Sequence, residues 1–266
     1  MIKVWASNML RNIGLIFIVD KIRYYVLSVK QSKKNSLFLK EHPDVIIPPA
    51  YLIYESFHMD YRAYYESGEK NANELISVFS KYIDFDQKKI LDWGCGPGRI
   101  IRHFPKLLNN CEFYGTDYNR ESIDWCSSNL KDIEFNHNSL NPKLPYINDF
   151  FDVIYGISIF THLSEEMHYS WLNELLRVLK PGGILLVTAQ GDGFKIKLSA
   201  SEKQRYENGK LVVRGKVKEG HRTFSAFQPK KFMEIFFKDV QILDHIVDEP
   251  QNDWIPQDQW IVKKIQ

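Results

Sequence analysis

The stretch from Lys88 to Phe104, KKILDWGCGPGRIIRHF, decides how this chain folds. A short apolar run, KILDW, is followed at once by three glycines at 94, 96 and 98, and then by a segment with helical character from Arg99. That order predicts a strand, a tight turn and a helix. In an open α/β sheet, ligands bind beyond the carboxyl ends of the strands. Gly94, Gly96 and Gly98 permit positive φ and close approach of the backbone to a ligand. The start of the helix adds unpaired N–H groups and a positive dipole end.

The details of the turn separate two ligand classes. A dinucleotide fingerprint, GxGxxG or GxGxxA, requires Gly or Ala at position 99, where this chain has Arg99. Asp92 stands two residues before Gly94, and a carboxylate is poor company for a pyrophosphate. It suits a ligand that carries an ammonium and a sulfonium, as S-adenosylmethionine does. The next strand, EFYGTDY, carries Asp117, nineteen residues after Gly98. An acid there accepts both hydroxyls of a ribose, a group shared by NAD and S-adenosylmethionine.

Outward from the turn, strands and helices alternate. Helices are expected at Asn71–Tyr82, Arg99–Leu108, Arg120–Leu130 and Ser164–Leu179, the last with Ser164 as N-cap and glutamates in its first turn. Strands are expected at Asp132–Asn136, at FFDVIYGISIF and at ILLVTA, with PGG closing the helix before the last of these. Apolar strands in β–α alternation imply a parallel sheet with helices on both faces. After Gln190 the rhythm changes. ENGKLVV places an Asn-Gly turn before a strand, so a hairpin insertion is expected at about 191–226. A helix at Pro229–Phe237 and two closing strands, VQILDHIV and DQWIVKKI, complete the chain.

The 266 residues suffice for one large α/β domain, and the formal charge of +2 argues against a dedicated nucleic-acid binder. Cys95, Cys111 and Cys126 form no CxxC pair and no metal-type cluster, so no metal is expected and reduced thiols of a cytoplasmic protein are the reading. Residues 1–40 read as a basic helical extension. The run Ile13–Val19 is too short to span a bilayer, and no small-residue cleavage site follows it. Ile2, Trp5, Met9, Ile13, Ile16, Tyr24 and Leu27 roughly follow helical spacing, with Asp20 interrupting the stripe. This helix packs on the domain or another subunit, or it lies peripherally on the inner membrane surface. Residues 41–66, rich in proline and aromatics, read as a cap that includes Tyr54 and His58. The expected division is therefore an extension and cap at 1–66 and a catalytic domain at 67–266. The oligomeric state is left open.

On these motifs the sequence resembles the class I S-adenosylmethionine-dependent methyltransferases over roughly residues 70–265. ILDWGCGPGR is similar to their first motif, YGTDYN to their ribose-binding acid, and LRVLKPGGILLVT to their late helix-turn-strand motif. The resemblance implies a Rossmann-like, seven-stranded, mostly parallel sheet with an antiparallel last strand. It implies S-adenosylmethionine as cofactor, held by Asp92, Gly94, Cys95, Gly96, Gly98, Asp117, Tyr118, Ser139 and Ile157. A narrower likeness, carried by ISIFTHLSEEMHYSWLNELLRVLKPGG together with PPAYLIY, YYESG, WCSSNL and QDQWIVKKI, is to bacterial methyltransferase-domain proteins of surface-polysaccharide biosynthesis. That group often has an acid, contacting the adenine amine, where this chain has Ser139.

The family places its acceptor at the loop after FDVIYGISIF. Phe160 and Thr161 are the expected acceptor contacts there, and His162 the general base, since imidazole titrates near neutrality. His221 and Arg222, with Tyr206, lie in the insertion, a usual place for substrate specificity. Asp152 reads as a strand-start residue, and Glu165 and Glu166 as first-turn acids rather than metal ligands. Trp93 is either core or a cofactor stack. The chain lacks the Asn/Asp-Pro-Pro-aromatic tetrad of base-amino methyltransferases and the Pro-Cys pair of cytosine-C5 enzymes. The expected activity is O-methylation of a glycan or small molecule, with no nucleic-acid partner. The alternatives are a protein or peptide methyltransferase, and a non-catalytic S-adenosylmethionine-binding module of a polysaccharide assembly complex.

Overall fold

The computed structural model describes residues 16–57, 59–215, 217–221, 223–250 and 254–265. Seven strands form one sheet in the order β3-β2-β1-β4-β5-β9-β8. They are β1 Lys89–Trp93, β2 Glu112–Asp117, β3 Glu134–His137, β4 Phe151–Gly156, β5 Leu179–Ala189, β8 Gln241–Ile246 and β9 Asp258–Lys263. The pairs β2–β3, β1–β4 and β4–β5 are parallel, while β9 runs antiparallel to both β5 and β8. This is the expected Rossmann-like methyltransferase fold with its antiparallel last strand. The chain divides into two compact units, Met1–Phe85 with Cys95–His137, and Asp86–Gly94 with Asn138–Gln266.

The first unit holds helices α1 Ile16–Glu41, α2 Ala50–Phe57, α3 Tyr61–Phe79, α4 Phe104–Leu107 and α5 Arg120–Asn129, with β2 and β3. Helix α3 begins ten residues before the expected Asn71, because the Asp60 carboxylate accepts from the Ala63 N–H and caps it there. It therefore runs across the expected boundary at 66. Helix α1 packs on α2 and α3. Tyr54 donates its hydroxyl to the Asp20 carboxylate at 2.6 Å, and Asn35 bridges the Met59 carbonyl and the Tyr61 N–H. The helix expected over Arg99–Leu108 is split into a 3-10 turn, Ile101–His103, and the short α4. Pro105 has no N–H to donate four residues back to Ile101, so a continuous α-helix loses its bond there.

The second unit holds β1, β4, β5, β8 and β9 with helices α6 Glu165–Val178, α7 Ala200–Glu207 and α8 Lys230–Phe236, and a small sheet of β6 Val212–Arg214 and β7 Ser225–Phe227. Ser164 caps α6, accepting from Met167 N–H, as its position predicts. Asp152 serves the strand start, accepting from Lys89 N–H and pairing with Lys180 at 2.8 Å. Two expectations are corrected. PGG does not end before the strand; β5 already runs through it, because Gly182 N–H bonds the Lys264 carbonyl and Lys264 N–H bonds that of Gly183. The Asn-Gly pair does not turn a hairpin. Asn208 and Gly209 terminate α7, with Gly209 at φ +73°. β6 and β7 do pair antiparallel, Val213 opposite Ala226, but across residues 215–224. Phe194, Tyr206, Val212 and Phe227 give this insertion its own core.

Candidate functional site

In the first unit the glycine turn and the end of β2 are bonded together. Cys95 N–H donates to the Thr116 carbonyl at 2.9 Å. Gly96 N–H donates to Oδ2 of Asp117 at 2.8 Å, and Asn119 N–H donates to Oδ1 at 2.7 Å. Asp117 is buried, and these two bonds fix its carboxylate beside the turn. A carboxylate oxygen can accept more than one hydrogen bond, the chemistry a diol needs. The glycines have different jobs. Gly98 is packed, since an added Cβ would lie 2.6 Å from Leu130 and 3.2 Å from the Cys126 sulfur. At Gly96, with φ +51°, an added Cβ would meet nothing within 4 Å, so this residue alone of the turn opens onto space. Cys95 is buried with its sulfur toward the Gly96 carbonyl, and the Tyr118 carbonyl bonds the His137 ring at 3.1 Å.

The back of the turn is held by α3. Tyr64, 1% exposed, donates its hydroxyl to the Pro97 carbonyl at 2.7 Å. Burial raises its pKa, so the hydroxyl stays a donor. Gly68 lets α3 approach: an added Cβ would lie 2.2 Å from the Arg99 carbonyl oxygen. The Arg99 guanidinium reaches Asn71 at 2.8 Å and Ser67 at 3.3 Å. The arginine that replaces a fingerprint glycine thus ties the turn to a helix.

In the second unit Asp92, the penultimate residue of β1, is buried and accepts from the hydroxyl of Tyr155, its register partner on β4, at 2.9 Å. Trp93 is core: it packs edge-on against Phe160 at 5.1 Å and tilts against Trp171 at 5.0 Å. Gly94, at φ +77°, fits because an added Cβ would strike Ile159 at 2.1 Å. Ile157 is half-buried where β4 ends. Ser139 is exposed, its hydroxyl engaged with the Asn141 backbone at 3.2 Å. Its neighbour Asn138 is buried, and Asn138 Oδ1 has no hydrogen-bond partner. A buried acceptor left open is costly unless a donor arrives.

The loop after β4 carries the expected acceptor residues. Phe160 is fully buried among Trp93, His168 and Phe236. Thr161 is fully buried too, and its hydroxyl donates to the Ser158 carbonyl at 2.7 Å. Both lie in the 3-10 turn Phe160–His162. His162 is half-buried, with Nδ1 2.7 Å from the Phe224 carbonyl. A carbonyl only accepts, so Nδ1 carries the proton and Nε2 keeps its lone pair. Burial lowers the His162 pKa, with His221 adding to the effect and the Phe224 bond opposing it. His221 is brought to the same loop cluster: Gly220 N–H donates to the His162 carbonyl, and the Glu219 carboxylate accepts from Ser164 N–H. Arg222, like His58, lies outside the described residues. Tyr206 is buried and bonds Asp192 at 3.0 Å, so it supports the insertion.

Sequence reasoning missed the groups that shape this loop. Ser158 adopts φ +64°, a strained conformation for a residue other than glycine. It is held by a closed ring of bonds: Ser158 N–H to Thr188 Oγ1, Thr188 to Gln257 Oε1, and Gln257 Nε2 to Ser158 Oγ. His168 is fully buried, its Nδ1 on the Ser164 carbonyl and its Nε2 3.1 Å from Gln228, which also bonds the Phe160 carbonyl. The only sequence signal for His168 is its place four residues after Ser164. Nothing local marks Gln228 or Gln257. Among the described residues, no group of three or more His, Cys, Asp or Glu is arranged to hold a metal ion.

Comparison with known proteins adds to this geometry. Residues 90–183 match the family model described as a methyltransferase domain. The chain is 36% identical over 100 residues to the Arabidopsis thaliana tRNA (carboxymethyluridine(34)-5-O)-methyltransferase, covering 37% of this chain and 23% of that protein. It is 30% identical over 112 residues to phthiotriol/phenolphthiotriol dimycocerosates methyltransferase 1 of Mycobacterium ulcerans, covering 40% of this chain and 39% of that protein. The chain thus spans well under half the length of these curated relatives. A crystal structure of a SAM-dependent methyltransferase from Methanosarcina mazei superposes with a TM-score of 0.55 at 20% identity, covering 71% of this chain and 97% of that one. That likeness is one of fold.

Proposed function

We propose that this chain is an S-adenosylmethionine-dependent methyltransferase that O-methylates a glycan or small-molecule acceptor in the cytoplasm. The observation that carries the reading is at the end of β2, where Asp117 is fixed by the N–H of Gly96, the glycine of the turn that opens onto space. The residues fit the cofactor. Asp117 would take the ribose hydroxyls, Asp92 with the turn of Gly94, Cys95, Gly96 and Gly98 would hold the methionine part, and the open Asn138 Oδ1 suits an adenine amine. Tyr118, Ser139 and Ile157 would line the same ligand. The matched methyltransferase segment, 90–183, contains all of these positions.

S-adenosylmethionine supplies a methyl carbon bonded to a sulfonium and open to displacement. The chain's own contribution is alignment and proton transfer. His162, neutral and with Nε2 unprotonated, takes the proton of the acceptor hydroxyl as its oxygen attacks. The Phe224 carbonyl holds the ring in that tautomer. His221 and Arg222 would select the acceptor. The ring of Ser158, Thr188 and Gln257 keeps the loop in its strained course.

A second reading, an RNA acceptor, is favoured by the tRNA activity in the name of the Arabidopsis relative. The net charge of +2 weighs against it, because nucleic-acid affinity rests on cationic contacts to phosphates. Calorimetric titration with S-adenosylmethionine, S-adenosylhomocysteine and NAD tests the cofactor. Binding of the first two without NAD is expected, and Asp117→Ala should weaken it more than tenfold. NAD binding alone would overturn the reading of the glycine turn. Labelled methyl transfer to glycan, lipid, peptide and tRNA fractions then separates the acceptors. Transfer to tRNA alone would replace the glycan reading.

A further inference from the structure

We propose that the exposed face of α1 is a docking surface for an anionic lipid membrane. The inward positions of this helix are Asp20, Tyr24, Leu27, Gln31, Asn35 and Phe38, spaced by three and four residues. The opposite face carries Ile18, Ile22, Tyr25, Val26 and Val29, all exposed, with Ile22 at 59% and Val29 at 79%. At helical spacing these five form one stripe, and Lys33 and Lys40 continue it along the same face. Lys21 and Lys30 flank it. A contiguous exposed apolar stripe marks an interaction surface.

Charge selects the occupant. Along α1 there are six basic residues and two acids, Asp20 and Glu41, in a chain whose net charge is only +2. Asp20 is turned inward and takes the Tyr54 hydroxyl, and Glu41, at the end of the helix, pairs with Arg62, so the charges along the stripe are lysines. The combination of branched aliphatics, one tyrosine and a lysine flank is the chemistry of a helix lying in a lipid headgroup layer. Each lysine near an anionic surface contributes about 1 kcal/mol. No helix of the described residues is long and apolar enough to cross a membrane. This surface is independent of the acceptor chemistry.

The test is flotation of the full chain with vesicles of phosphatidylcholine, with and without phosphatidylglycerol. Binding to the anionic vesicles and little to the neutral ones is expected, with release at high salt. The pair Ile22→Ser with Val29→Ser, and separately Lys33→Glu with Lys40→Glu, should each weaken binding about tenfold or more, with unchanged circular dichroism and thermal midpoint. Equal binding to both vesicle types, or variants that bind like the parent, overturns the proposal. So does a dimer in sedimentation that the Ile22→Ser, Val29→Ser pair dissociates while no vesicle binding is found. That result would assign the stripe to a second copy.

Discussion

Tyr64 holds the glycine turn from behind: its hydroxyl, at 1% exposure, donates to the carbonyl of Pro97 thirty-three residues away at 2.7 Å. Removing the donor leaves a buried carbonyl without that bond, a loss of about 1–3 kcal/mol. Tyr64→Phe should lower stability by that amount in urea unfolding. It should also weaken S-adenosylhomocysteine binding several-fold by calorimetry, because the turn loosens. A variant that loses stability and keeps full affinity would make Tyr64 a packing residue only.

Two glycines separate folding from ligand space. At Gly96 an added methyl group meets no atom within 4 Å, so Gly96→Ala should cost only the positive-φ penalty, about 1–2 kcal/mol. Its effect on cofactor affinity should be larger, more than tenfold, since the methyl group enters the opening. Gly68→Ala should do the reverse. Its methyl group would lie 2.2 Å from a backbone oxygen, and overpacking of this kind costs about 1–3 kcal/mol. Thermal unfolding and titration of both variants check the pair, and equal affinity loss would refute the distinction.

The proton-transfer role of His162 predicts a pH profile. Burial lowers its pKa, so the neutral base persists below the ordinary imidazole value near 6.5. Once an acceptor is found, the acid limb of kcat should fall below pH 6.5, and His162→Gln should remove that limb while lowering kcat about 100-fold or more. An unchanged profile in the variant would assign the limb elsewhere.

Stability should itself depend on pH. Burial pushes His168 down to about 4, and burial with Arg102, Lys106 and Arg99 nearby pushes His103 to about 4. Both are depressed below their unfolded value, so the unfolded chain takes protons first as pH falls. The stability is fully present above about pH 6.5 and is lost between there and about pH 4, up to roughly 3 kcal/mol for each group. Urea midpoints measured from pH 8 to 4.5 should show the decline, and His168→Gln should flatten it. A flat profile in the parent chain would contradict the burial of both rings.

The sequence by itself determined the features whose causes are local. Strand and glycine turn at 89–98 follow from residue order. So do the Ser164 cap, the Asp117 position at a strand end and the reach of the last two strands. Each depends on backbone preferences within a few residues, and those are written in consecutive letters. Tertiary structure decided the rest. Whether Phe160 faces an acceptor or the core depends on Trp93 and Phe236, which lie on other elements. Gln228 reaches His168 across sixty positions, and Gln257 reaches Ser158 across ninety-nine. Such bonds form only after the sheet has brought its strand ends together. No periodicity or spacing encodes them, and they set the course of the loop on which His162 stands.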